Sequence, residues 1–438
     1  MEATATAPTT LLREAVGRAT ERFGQANPRS LERFAAATEH LPGGDTRSIL
    51  HYAPFPATIV RAEGAQLEDI DGHTYTDFLG EYTAGLFGHS HLTIFAELRN
   101  ALDGGLSYCG PHPNQHEFAA LICRRFGLER VRFTNSGTEA NLMALAAARA
   151  ITGRGRIMAF DGAYHGGRLS FVGGDELRAP FEWVVGTYND PDETRRLIEE
   201  QADDLAVVIA EPMLGSCGIA ATREFFGVLR EESARVGAIF IVDEVQTSRL
   251  GRAGLQAEFG VHADITTLGK YLGGGCSFGA FGGRADVMDR FDPRRDDHLH
   301  HAGTFNNNVL TMAAGLAGLR DVYTPTEAER LTARGDEFRE RLNRTAMKRD
   351  APVQIIGRGS IMSIHFQGGR IERVSDVLHA PEALQLFHLE MLLAGFYTSP
   401  RGFLSLSLAL TDENLDAFDA ALGVFLDRHG AALKASTA

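Results

Sequence analysis

From about residue 131 onward, short apolar runs alternate with longer stretches in which apolar residues recur at helical spacing. The run Ala238–Val242 is unbroken and stops abruptly at the carboxylates Asp243 and Glu244. This is the pattern of a parallel strand buried on both faces whose carboxyl end opens onto a site. Similar runs predict strands at Val131–Thr134, Arg156–Phe160, Leu205–Ala210, Ala263–Leu268 and Phe278–Gly282. Between and after them, helices are predicted at Thr138–Thr152, Asp192–Gln201, Arg223–Val236 and Val309–Asp321. Such alternation reads as an α/β fold, a large domain with a mostly parallel, seven-stranded type of sheet flanked by helices.

The flanks read differently. Residues 1 to about 10 form a frayed tail, and the chain is helical from Leu11 to about His40, broken at Asn27-Pro28 with Ser30 as cap of the second helix. The next 16 residues, 41–56, hold two glycines and three prolines around Arg47, which forbids regular structure. Thr58–Arg61, Gln66–Ile70 and His73–Tyr75 then suggest a small antiparallel unit turning at Asp71-Gly72, followed by helices Thr93–Ala101 and Asn114–Phe126. After Thr324-Pro325 come a helix Glu327–Lys348, strands at Val353–Ile356, Ser360–Phe366 and Phe403–Leu408, and a last helix Asp412–His429. The expected organisation is an N-terminal segment 1–80, a large domain 81–323 and a C-terminal part 324–438, with the terminal segments building a smaller α+β domain.

Composition narrows the function. With 438 residues, 44% hydrophobic and 23% charged, the chain is an ordinary globular one, long enough for two domains. A net charge of −14 argues against nucleic-acid and anionic-membrane partners, both of which reward a basic face. The first residues lack a basic n-region and an apolar h-region, and no run reaches the length of a membrane span, so a cytoplasmic location is expected. Cys109, Cys123, Cys217 and Cys276 are scattered without CxxC spacing, as reduced thiols would be.

The candidate chemistry sits at strand ends. Asp243 closes one strand, and 27 positions later Lys270 closes the next, ahead of Gly273-Gly274-Gly275. An acid to keep a pyridine nitrogen protonated and a lysine to form a Schiff base are what a pyridoxal phosphate enzyme requires. Either residue alone would pass for a turn or surface residue; their joint placement is the signal. A phosphate site is offered by Ser136-Gly137-Thr138, where a strand passes into a helix N-terminus whose bare N–H groups and dipole favour an anion. A plain N-cap by Ser136 or Thr138 explains the same residues equally well. Gly303-Thr304-Phe305 is a second possible supplier; the nearby His298, His300 and His301 have no matching acid or cysteine cluster, so no metal site is expected.

Taken together, Asn135-Ser136-Gly137-Thr138-Glu139-Ala140, Tyr164-His165-Gly166, Ala210-Glu211-Pro212, Val242-Asp243-Glu244-Val245, Leu268-Gly269-Lys270 and Gly303-Thr304 resemble the class III, fold-type I pyridoxal-phosphate aminotransferases, in the branch containing glutamate-1-semialdehyde aminomutase. The resemblance spans Pro42-Gly43-Gly44 to Leu408-Ala409-Leu410-Thr411. It implies a homodimer with shared active sites, in which Gly137 and Thr138, next to the cofactor-binding Ser136, hold the cofactor phosphate and Thr304 reaches it from the other subunit. It also implies that Tyr164 stacks on the pyridine ring with Val245 on the opposite face, and that Asp243 pairs with the ring nitrogen. His165 and Gln246 adjoin the cofactor, Glu211 stands behind it, and Lys270 is both Schiff-base partner and general base. For that last role the lysine must be neutral, which burial and nearby positive charge favour.

Two departures bear on the substrate. The segment Tyr397-Thr398-Ser399-Pro400-Arg401-Gly402-Phe403 carries a guanidinium where the aminomutases resemble one another in an acid, and Asn306-Asn307-Asn308-Val309 replaces their Ser-Gly-Asn-Pro. With Arg47 ahead of Tyr52-Ala53-Pro54-Phe55-Pro56, the layout resembles the bacterial aromatic β-amino acid aminotransferases acting on β-phenylalanine. That subgroup implies Arg47 for the β-amino acid carboxylate and Arg401 for the α-carboxylate of 2-oxoglutarate. Tyr82, Phe55 and Tyr75 are candidates for an apolar pocket wall, with ordinary core packing the alternative, at least as good for Tyr75. Amino and 2-oxo acids are therefore the expected small-molecule partners. Other ω-transamination, the aminomutase reaction and a catalytically silent pyridoxal-phosphate-binding protein are the alternatives; a nicotinamide enzyme is disfavoured because no GxGxxG follows the first sheet strand.

Overall fold

The computed structural model describes residues 10–174 and 176–437, so residues 1–9 of the expected tail lie outside it. Two compact units result: one comprises His91–Ala333 with Glu372–Val374, the other the residues up to Ser90, Arg334–Ile371 and those from Ser375.

The first unit is built on a seven-stranded sheet with the spatial order Arg130–Thr134, Gly279–Gly283, Ile265–Gly269, Ile239–Asp243, Leu205–Ala210, Arg156–Phe160, Glu182–Gly186. The last five are mutually parallel, while Gly279–Gly283 runs antiparallel to both neighbours. The nine residues 270–278 that precede it are too few for a crossover helix, so the strand must double back. Every residue of Leu205–Ala210, Ile239–Asp243 and Ile265–Gly269 is buried, which explains the apolar runs of the first two; in the third, the buried Thr266 and Thr267 hydroxyls are bonded to Gln256 and Asn141. Because these strands are parallel, Glu211, Asp243 and Lys270 all emerge at one edge of the sheet.

The predicted helices of this unit form close to their expected bounds, as Leu92–Asp103, Pro113–Phe126, Gly137–Thr152, Pro191–Glu200, Arg223–Val236 and Val309–Ala317, the last continuing as a π turn through Val322. The edge strand Glu182–Gly186 was not expected; only Gly186 of its residues is buried, so it lacks the fully buried run that marks the central strands.

In the second unit, Ile59–Glu63, Gln66–Asp69 and Thr74–Asp77 form the expected antiparallel meander, joined in parallel by Phe396–Tyr397. Gln354–Arg358, Ile361–His365 and Phe403–Ser405 form a second antiparallel sheet. Phe78, Phe338, Phe396 and Phe418 meet in one aromatic core, with Phe78 and Phe418 centroids 4.3 Å apart. The helix Pro381–Leu393 was missed because nearly its whole surface is buried, so no amphipathic stripe marks it.

Ser30 is not the cap of the second helix. That helix, Pro28–Thr38, begins at Asn27, and its open N–H groups are satisfied from a distance: Arg29 N and Ser30 N donate to the Asp71 carboxylate at 2.7 and 2.9 Å. Ser30 Oγ donates to the same carboxylate at 2.6 Å. Burial opposes the charge on Asp71, and these bonds more than offset it, holding the carboxyl below its usual range.

Candidate active site

The site is assembled where the parallel strands end. At Ser136 the chain passes from strand to helix; Ser136 Oγ accepts from Glu139 N at 3.1 Å, and Glu139 reaches back to accept from Asn135 N at 2.8 Å. The N-cap reading of Ser136 therefore holds, and the helix N-terminus it caps remains a place where an anion is favoured. Gly137 is a necessity of packing: a Cβ there would lie 2.7 Å from Val245 Cγ1. Gly166 (φ +124°) lies so close to Thr138 that a Cβ would meet its Oγ1 at 2.2 Å. These two contacts bring the Asp243–Gln246 and Tyr164–Gly166 segments against the start of the helix.

A buried polar network lies behind them. His165 Nδ1 and Asn141 Nδ2 both bond to Asp243 Oδ2, at 2.7 and 2.8 Å, while Val245 N donates to Asp243 Oδ1 at 2.9 Å. Asn141 Nδ2 also donates to His165 O at 2.9 Å, and Thr267 Oγ1 donates to Asn141 Oδ1 at 2.6 Å. Glu211 accepts from Tyr164 N at 2.8 Å and from Gly215 N at 3.1 Å. Asn141, His165, Glu211 and Asp243 are each at least 96% buried.

Electrostatics follow from that burial. Burial alone would lower the His165 pKa, but the hydrogen bond to Asp243, its charge and that of Glu211 outweigh it and raise the pKa. Burial pushes Glu211 upward, opposed by the His165 charge and reinforced by that of Asp243. Glu244, fully buried beside Asp243, is pushed up to about 7 chiefly by burial.

Lys270 follows Gly269 at a backbone φ of +54°, a left-handed conformation that a non-glycine residue holds only under constraint from its surroundings. It adjoins the cluster: the position of a Cβ on Gly269 would be 3.2 Å from Val245 Cγ1 and 3.5 Å from Gly137 Cα. Tyr164 is 43% exposed. Thr304 is exposed, on a turn tied to the helix start by Asn135 Nδ2 donating to Asn306 Oδ1 at 2.9 Å.

Arg47, Tyr82 and Arg401 gather in the other unit. Tyr82 OH shares a hydrogen bond with Ser399 Oγ at 3.2 Å, its ring packs 5.6 Å from Phe403, and Ser399 Oγ accepts from Arg401 N at 3.1 Å. Burial raises the Tyr82 pKa, while the nearby charges of Arg401 and Arg47 both pull it down. Phe55 and Tyr75 are core residues away from Tyr82: Phe55 packs on Phe23 and Phe34, and Tyr75, 2% exposed, donates to Asp69 at 2.6 Å. The roles of Asn141 and Thr267 were not anticipated, although Asn141 directly follows the Asn135–Ala140 motif.

A cavity of about 410 Å³ is lined by Phe23, Asn27, His73 and Tyr75, and of the candidate site residues it holds Tyr75 but none of the expected cofactor or carboxylate-binding residues. Among the described residues, no group of three or more His, Cys, Asp or Glu is placed to hold a metal, and no helix is long and apolar enough to cross a membrane.

A mixed seven-stranded sheet flanked by helices, with an acid and a lysine at adjacent strand ends and a capped helix start beside them, defines a fold-type I pyridoxal-phosphate-dependent transferase. The chain belongs to the class III aminotransferases, whose family model matches residues 50–402. It is 48% identical to a β-phenylalanine transaminase of Variovorax paradoxus, over 96% of this chain and 98% of that protein. The crystal structure of a β-phenylalanine aminotransferase from Variovorax paradoxus superposes with a TM-score of 0.94 at 48% identity, covering 96% of this chain and 98% of that one. A transaminase solved with pyridoxal phosphate bound superposes with a TM-score of 0.85 at 29% identity, covering 94% and 99%. The protein is a pyridoxal-phosphate-dependent aminotransferase acting between amino and 2-oxo acids.

Proposed function

We propose that this aminotransferase takes the amino group of an aromatic β-amino acid such as β-phenylalanine and passes it to 2-oxoglutarate in a ping-pong cycle. The observation that carries the substrate class is the pair of arginines that flank Tyr82: Arg47 is bonded to the adjacent Glu81, and Arg401 N donates to Ser399 Oγ, which also bonds the Tyr82 hydroxyl. Similarity to the Variovorax paradoxus enzyme over nearly the full length of both chains supports the same donor.

Pyridoxal phosphate fits the residues present. Buried His165 Nε2 and Gln246 Oε1 have no hydrogen-bond partner among the described residues, and Asp243 Oδ1 keeps acceptor capacity beside its single bond to Val245 N. Ser136, Gly137 and Thr138 would hold the phosphate, with Thr304 of the partner subunit. Tyr164 and Val245 would cover the two ring faces, Asp243 Oδ1 would hold the nitrogen-bound proton, and His165, Glu211 and Gln246 would complete the surround. When bound, the cofactor supplies a ring that accepts the charge left when a proton leaves the amino-bearing carbon.

The protein's own part is to hold and move protons. His165 and Asn141 both bond to Asp243 Oδ2, which fixes the carboxylate and leaves Oδ1, with its one bond from Val245 N, as the oxygen free to accept a further proton-bearing partner. Lys270 Nζ, when neutral, takes the proton from the amino-bearing carbon and returns it in a 1,3-shift. Arg47 grips the donor carboxylate and Arg401 the α-carboxylate of 2-oxoglutarate. Exposed Leu92, Leu102, Leu106, Tyr108 and Phe305 support a homodimer, and four free thiols support a cytoplasmic location.

Half-reaction spectroscopy tests the assignment. Arg401→Ala should weaken 2-oxoglutarate by about 10- to 100-fold, the worth of a charge-assisted pair, with little effect on β-phenylalanine. Equal effects on both substrates would remove it. Faster amino transfer from 4-aminobutyrate or glutamate-1-semialdehyde than from β-phenylalanine would replace the donor reading.

A further inference from the structure

The two arginines differ in one respect. Arg401 forms no ion pair among the described residues, whereas Arg47 Nη1 is bonded directly to Glu81 Oε1. Glu81 is brought there by an unusual piece of backbone: Gly80, Glu81, Tyr82 and Thr83 have φ values of +54°, +48°, +51° and +80° in succession. Residues other than glycine rarely adopt this left-handed conformation even singly, so the turn has to be held by its surroundings.

It is held on several sides. Asp77 Oδ1 accepts from Leu79 N at 2.8 Å and Gly80 N at 3.0 Å, and Gly85 N donates to Gly80 O at 2.9 Å. The Tyr82 ring and hydroxyl are fixed by Phe403 and Ser399. The same turn thus presents Tyr82 toward the segment carrying Arg401 and Glu81 toward Arg47. The Glu81 side chain is 50% exposed and that of Arg47 45%, so a ligand can reach both.

We propose that Glu81 is a specificity-determining residue that reserves Arg47 for the zwitterionic amino donor by repelling the dianionic 2-oxo acid. The proposal rests on the assignment of Arg47 to the donor carboxylate. A ligand carboxylate reaching Arg47 must share or displace Glu81, and the repulsion rises with the negative charge the ligand brings. A dicarboxylate is penalised more than a monocarboxylate, and the unpaired Arg401 is left as its better grip. Specificity here comes from a repulsive element built beside an attractive one.

The test uses the pyridoxal-phosphate-loaded protein and two unreactive probes, the dianion glutarate and the monoanion 3-phenylpropanoate, with affinities measured by calorimetry. Glu81→Gln keeps the size of the side chain and removes its charge. It should tighten glutarate by up to about fivefold, the ceiling for a half-exposed ion pair, and 3-phenylpropanoate by less. Both gains should vanish when Arg47→Gln is added. A turn merely damaged by the substitution would weaken both probes, so the direction of change separates the two explanations. Unchanged affinities, or a gain no larger for glutarate than for 3-phenylpropanoate, would overturn the role of Glu81 alone. Binding of 3-phenylpropanoate that is absent, or indifferent to Arg47→Gln, would remove the donor-site assignment and this proposal with it.

Discussion

Asn141→Ala is the substitution that most directly probes how the site is built. Asn141 is 1% exposed and makes three side-chain hydrogen bonds: to Asp243 Oδ2 at 2.8 Å, to His165 O at 2.9 Å, and from Thr267 Oγ1 at 2.6 Å. The bond to the charged carboxylate is worth about 1.5–3 kcal/mol and the others about 1 kcal/mol each, so the loss should be roughly 3–5 kcal/mol. Trp183, the single tryptophan, lies in the edge strand of the same sheet and reports unfolding of this unit by fluorescence. In urea the midpoint should fall at unchanged slope. Asn141→Asp should be worse than alanine, because it sets a second buried carboxylate against Asp243 Oδ2. A loss below about 1 kcal/mol for alanine, or an aspartate variant more stable than the alanine one, would show that Asp243 is held by other means.

Two further substitutions test packing and titration. Gly137→Ala drives a methyl to 2.7 Å from Val245 Cγ1, so it should cost about 1–3 kcal/mol and release pyridoxal phosphate faster on dialysis; unchanged retention would mean that the helix start and Val245 do not flank the cofactor. Glu244 has an ordinary pKa of 4.5 that burial raises to about 7 in the fold, so the unfolded chain releases its proton first as pH rises through this window. Its stabilising contribution is therefore present below pH 4.5 and lost by about pH 7, a change of about 3 kcal/mol that Glu244→Gln should abolish. Urea unfolding at pH 5 and pH 8 measures it, and parallel pH dependence in the two proteins would refute the burial argument.

What could be read in the sequence was decided by where each residue's partners lie along the chain. Asp243 and Lys270 stand out because each comes at the end of a fully buried parallel strand that carries no other charge, where a charge is conspicuous. The helix start at Ser136 is equally plain, since its cap and Glu139 lie within four residues. Asp71, by contrast, satisfies the helix N–H groups at Arg29 and Ser30 from 41 or 42 positions away, which no local pattern records. The turn at Gly80–Thr83 escaped for another reason: only its first residue is glycine, the usual mark of left-handed backbone.

The same division runs through the site itself. A strand-end carboxylate at position 243 is legible, yet its chemistry depends on which oxygen is left to accept a proton-bearing partner. That is decided by His165, 78 positions away, and Asn141, 102 positions away, both bonded to Oδ2. Local order therefore identifies the groups that can react, and the tertiary fold supplies the donors that orient them. The charge on Arg47 follows the same rule: its guanidinium is visible in the sequence, but the carboxylate that tempers it comes from 34 residues on, through a turn no propensity would suggest. In this chain reactivity is encoded locally, and selectivity by contacts distant in sequence.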